Sequence, residues 1–151
     1  MKVLDSNHGS LVFRRLKHHG VPLSYLKPLS EVYDTPDWKW YEHVLLRTKK
    51  GNTYLCHGKA SPYNKLAMMM GCNAWQGHFH SRHEISWISN CVSERYNAFT
   101  GCGVNRESLA FAYGKNHLPE PVLGCGSILA DGSPRLFKMN LNSKGRWDKK
   151  L

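Results

Sequence analysis

The sequence predicts an α/β domain. Three observations carry that prediction: strand-like and helix-like stretches alternate along the first ninety residues, the helical stretches stop at Gly20 and Gly71, and two segments with hairpin turn chemistry lie near 49–52 and 131–134. Residues 2–5 read as the end of a strand, and Ser6, Asn7, His8 and Gly9 as the polar turn that leaves it. Ser10 is placed to cap a helix in which Leu11, Val12, Phe13 and Leu16 form a stripe, and Gly20 with Val21 and Pro22 stops it. Pro22, Pro28 and Pro36 then break any long element, so residues 21–39 read as loop or short helix. Residues 41–48 and 53–57 read as strands joined by Lys49, Lys50, Gly51 and Asn52. A helix over 62–70 follows, closed by Gly71.

Residues 73–79 and 84–90 read as two further strands with Trp75 and Trp87 as core or rim aromatics. The last hairpin is the clearest, because residues 122–130 and 135–141 are strand-like and Asp131, Gly132, Ser133 and Pro134 form the turn. The chain thus divides into a domain over 1–141 and a polar, basic tail over 142–151.

Composition bounds the function. A chain of 151 residues with 41% hydrophobic content can bury one core, and no apolar run reaches the roughly 18 residues of a membrane span. The start, MKVLDSNHGS, lacks the basic-then-apolar layout of a signal peptide, so a cytoplasmic protein without membrane contact is expected. The net charge of +10 is enough to attract nucleic acid, anionic membranes or phosphorylated substrates, without choosing among them. The cysteines, Cys56, Cys72, Cys91, Cys102 and Cys125, are odd in number and form no CxxC pair, which points to reduced thiols.

Nine histidines are the more unusual feature, and His78, His80 and His83 crowd into HFHSRH. Asn7 and His8 follow one predicted strand, His57 ends a second in LCHG, and His78 and His80 follow a third in GHFH. Strand ends on one edge of a sheet can converge, and an amide oxygen with neutral imidazoles suits borderline divalent ions such as Mn, Fe or Zn. Each piece also has a plain structural role: a polar turn, a hydrogen-bonded histidine, polar residues on an edge strand. Trp38, Trp40 and Tyr41 could stack on bases or form a hydrophobic rim, and Arg82 could contact phosphate or sit in a solvated loop.

In SNHG, CHG and GHFH, taken in that order, the chain resembles the calcineurin-like metallophosphoesterase family, specifically the second half of its domain in virus-encoded members. The resemblance covers nearly the whole chain. It implies the C-terminal half of a four-layer α/β/β/α sandwich and a metal-dependent hydrolase of phosphodiesters, in which nuclease activity fits the charge. By that resemblance Asn7, His57 and His78 hold one divalent ion, His80 belongs to the other, and His8 meets the scissile phosphate and protonates the leaving oxygen. Manganese is the first choice of metal, with Fe, Zn or Ni as alternatives.

Gly9 stands where the family has an acid, and the family's Asp-x-His and Gly-Asp-x-x-Asp motifs have no counterpart in the chain. The expectation is therefore one half of a split or truncated enzyme. It would associate with an N-terminal-half polypeptide or with itself, and hold two ions in the complete site but one or none alone. The rival is a catalytically inactive protein that binds nucleic acid or a host protein on the same scaffold. A zinc module of Cys72, His78 and His83 is a third possibility, without recognised spacing.

Overall fold

A computed structural model describes residues 1–104, 120–143 and 147 of the chain, and its architecture is mixed α/β. Strand β1 (Lys2–Leu4) leads through the turn at residues 7–10 into helix α1 (Leu11–His18). A 3-10 turn (Leu23–Tyr25) and a single helical turn, α2 (Leu29–Val32), fill the proline-broken stretch. Strands β2 (Lys39–Tyr41), β3 (His43–Thr48) and β4 (Gly51–Cys56) follow, then α3 (Lys65–Met70), β5 (Asn73–Gln76), β6 (His83–Ser89) and β7 (Glu94–Thr100), and finally the hairpin of β8 (Gly124–Ile128) and β9 (Pro134–Lys138).

Five strands form the central sheet in the order β3-β4-β5-β7-β6. β4, β5 and β7 run parallel, while β3 and β6 lie antiparallel at the two edges. Side chains alternate across such a sheet, so each face has its own core. On one face Tyr54, Cys56 and Ala74 pack with Leu66 and Ala67 of α3. On the other, Trp75, Tyr96 and Ala98 pack with Ile128 and Leu136 of the β8–β9 hairpin. The layers are helix, sheet and hairpin. Thr53 Oγ1 and Tyr96 OH share a buried 3.0 Å hydrogen bond on the hairpin side.

Several expectations need correction. The strand read over 41–48 is two strands, because β2 pairs in parallel with β1 while β3 pairs with β4, and only Glu42 separates them. Ser10 makes no side-chain cap; its hydroxyl donates instead to the Ser6 carbonyl at 2.9 Å. The α1 stripe is not buried as a unit, since Val12 is 57% exposed and Phe13 and Leu16 are half-buried. Helix α3 begins three residues late, and Gly71 ends it with a left-handed φ of 64°.

β7 has no counterpart in the expected elements, although it lies inside the sheet. The cysteines at 56, 72, 91, 102 and 125 form no disulfide, and burial pushes the Cys56 thiol up to about 11. Residues 105–119 lie outside the described residues, as does the tail apart from residues 142, 143 and 147. No helix among the described residues is long and apolar enough to cross a membrane.

Candidate metal centre

Strand pairing brings the candidate ligands together. Cys56 pairs with Gln76 across the parallel β4–β5 ladder, so the chain leaves both strands at one edge, with His57 beside Gly77 and His78 next. At the antiparallel edge of β4, His43 pairs with Cys56, and only Glu42 lies between His43 and β2. Leu4 pairs with Tyr41 in β2, and Asp5 N–H donates to the Tyr41 carbonyl at 2.8 Å. The turn after β1 therefore lands beside the ends of β4 and β5.

That turn is held by its own polar groups. Gly9 N–H donates to Ser6 Oγ at 2.9 Å, and Arg14 donates to the Asn7 carbonyl at 2.7 Å. The Asn7 side chain points its oxygen at the two strand ends: Oδ1 accepts from His57 Nε2 at 2.8 Å and from His78 Nδ1 at 3.2 Å. The two imidazole rings are 5.2 Å apart and inclined at 66°. His78 has a φ of 64°, a left-handed conformation uncommon outside glycine. Gly58 makes room for it, because a Cβ there would stand 2.5 Å from the His78 Cβ.

His57 Nε2 and His78 Nδ1 both lie within hydrogen-bond distance of Asn7 Oδ1, at 2.8 and 3.2 Å; with the ring protons on their other nitrogens, the same three atoms are of the kind that borderline divalent ions take. Burial, together with the neighbouring His78, His8 and His80, lowers the His57 pKa from its ordinary value and so favours the neutral ring that ligation requires. Asp5 acts on His57 in the opposite sense. Burial, followed by His78 and His8, likewise lowers the pKa of His80. Among the described residues no three His, Cys, Asp or Glu side chains form a metal-binding group. The convergent set is thus two imidazoles and one amide oxygen.

His80 lies near His78 and His8 by its electrostatics, and His8 is exposed in the turn. Arg82 is engaged elsewhere. Its guanidinium lies 4.8 Å from the Tyr63 ring centre, 5.1 Å from Phe99 and 5.8 Å from Phe79, and it donates to the Ser61 carbonyl. The alternative zinc set does not assemble: Cys72 packs against the α3-side core, and His83 faces the Cys125 carbonyl at 3.4 Å.

One supporting residue escaped the sequence reading. Gln76 is fully buried, and its Oε1 accepts from Lys59 N–H at 3.1 Å and Ala60 N–H at 3.4 Å, while its Nε2 donates to the Ala60 carbonyl at 3.0 Å. It fixes the loop just past His57. A Glu42–Lys59 ion pair at 2.9 Å tethers the same loop on its exposed side. A glutamine at the end of a strand, one residue before Gly77, gave no signal that it was buried. No protein-family model matches this chain, and no curated protein does.

Proposed function

We propose that this chain is the metal-binding half of a metal-dependent phosphoesterase of the calcineurin-like type, hydrolysing phosphodiesters and completed by a second polypeptide. The observation that carries the reading is the meeting of Asn7, His57 and His78, from three separate segments, on one amide oxygen. In this reading they hold one ion, Mn first, with Fe, Zn or Ni as alternatives. His80 serves the second ion together with carboxylates from the partner. Two ions about 3.5–4 Å apart would neutralise the phosphate and lower the pKa of a bridging water.

In this reading His8, exposed beside Asn7, meets the phosphate and protonates the leaving oxygen. Arg82 receives the least support as a phosphate contact, because its guanidinium is already stacked and hydrogen-bonded. The order helix, sheet, hairpin supports half of a four-layer sandwich. The net charge of +10 supports nucleic acid as substrate.

Calorimetric titration of Mn tests the reading. Asn7→Ala, His57→Ala and His78→Ala should each weaken binding by about tenfold or more, since three neutral ligands leave little affinity when one is lost. Unchanged affinity in the His78→Ala protein would put the ligands elsewhere. The lack of a carboxylate in the convergent set favours one rival, an inactive nucleic-acid or host-protein binder on the same scaffold. If added N-terminal-half polypeptide produces no turnover while the chain alone binds DNA in a salt-dependent way, the rival stands.

A further inference from the structure

Arg82 touches both of the loops that carry the imidazole donors. Its guanidinium carbon lies 4.8 Å from the Tyr63 ring centre, 5.1 Å from that of Phe99 and 5.8 Å from that of Phe79, all within cation–π range, and Nη1 donates to the Ser61 carbonyl. Ser61 and Tyr63 belong to the loop that runs from His57 to α3, and Phe79 is the residue after His78. Phe99 comes from β7 and is fully buried, so it is the fixed point of the group.

The segment that carries His78 needs such a restraint. A φ of 64° is costly for a residue with a side chain and persists where the surroundings over-determine it. The Asn7 oxygen and the space over Gly58 act on His78 directly. Phe79 acts on it from the next position: its ring stands 5.1 Å from the His78 ring at 80°, and 5.4 Å from Phe99 at 82°. The Phe79 carbonyl accepts from Arg82 N–H at 2.9 Å, so backbone and side chain of Arg82 both meet Phe79. On the other loop, Gln76 and the Glu42–Lys59 pair hold residues 59 and 60, and Arg82 extends that hold to Ser61 and Tyr63.

We infer that Arg82 is a positioning residue for the Asn7, His57 and His78 centre. Its guanidinium clamps the His57 loop and the His78 turn to each other over Phe99, and so keeps the two imidazoles on one amide oxygen. Its effect on an ion rests on the function proposed above; the clamp itself does not require the ion.

The test combines two measurements on the full chain, with folding of each variant checked by circular dichroism. Calorimetric titration of Mn should show a loss of about tenfold or more in Arg82→Ala, the size that removal of an outer support of a metal site produces. Arg82→Lys, which keeps a charge for the rings but not the planar fork, should recover part of that loss. In the presence of a chelator, the imidazole ¹⁵N resonances of His57 and His78 should move in Arg82→Ala, while those of His18 and His19 on α1 stay in place. A merely structural Arg82 would lower the urea midpoint and leave Mn affinity and these resonances at wild-type values, which would overturn the inference. If Arg82→Ala does not fold, Tyr63→Ala takes its place, since that ring is 54% exposed and its removal spares the core; wild-type Mn affinity and unmoved resonances there would overturn the inference equally. If the wild-type chain binds no Mn, the proposed function fails and the metal-free resonances still decide the clamp; if all variants bind Mn as the wild type does, the clamp fails and the proposed function stands.

Discussion

Residues 1–52 and the sheet region that follows make opposite use of their apolar side chains. No residue from 1 to 52 is buried, and Val12, Leu23, Tyr25, Val32 and Tyr33 are all more than half exposed. The β1–β2 pair is a parallel ladder of only two strands, whereas parallel sheets persist mainly where both faces are covered. In the later region Ala67, Ala74 and Ala98 are fully buried between α3, the sheet and the hairpin, and Phe99 is fully buried too. The centre therefore joins unlike supports. His57 and His78 stand at the ends of core strands, and Asn7 stands on a segment with no buried residue. A partner that covered residues 1–52 would fix Asn7, which is how association and metal binding become linked in the proposed function.

Three measurements break or sharpen this contrast. Hydrogen exchange should show the largest effect: amides of β5 and β7 should exchange about a thousandfold or more slowly than those of β1 and β2, because local opening ranges from near zero free energy up to the global value. Similar protection in the two ladders would erase the difference. Next, Phe99→Ala removes a fully buried ring and should cost about 3–5 kcal/mol in urea unfolding. The smallest effect belongs to Val12→Ser, on a residue 57% exposed, which should stay within about 0.5 kcal/mol. A loss above about 1.5 kcal/mol there would mean that α1 packs far more tightly than its exposure indicates.

The elements most legible in the sequence were those set by local chemistry. Asp131, Gly132, Ser133 and Pro134 announce the β8–β9 turn, and Gly71 announces the end of α3. β7 was illegible because what makes it a strand is long-range. It lies between β5 and β6, and its Asn97 and Ala98 have little intrinsic strand preference; burial between two layers overrides that. The division of 41–48 into two strands was hidden for a similar reason, since nothing local to Glu42 reveals that its two sides pair with different partners.

At the centre, residue type and strand-end position drew attention to Asn7, His8, His57, His78 and His80, and the family resemblance alone set Asn7, His57 and His78 apart. Sequence could not show that Arg82 is taken up by three aromatic rings. Gln76 was missed because burial of an amide depends on the loop that comes to meet it.

The close approach of Gly58 to His78 ties two positions twenty residues apart into a single inherited unit. A side chain at 58 would collide with the His78 Cβ, and moving His78 would take its imidazole away from Asn7. Position 58 cannot drift alone. A chain that keeps the imidazole has to keep the glycine, although that glycine touches no ion and carries no chemistry, and because the collision is with the Cβ, losing the imidazole alone would not free position 58.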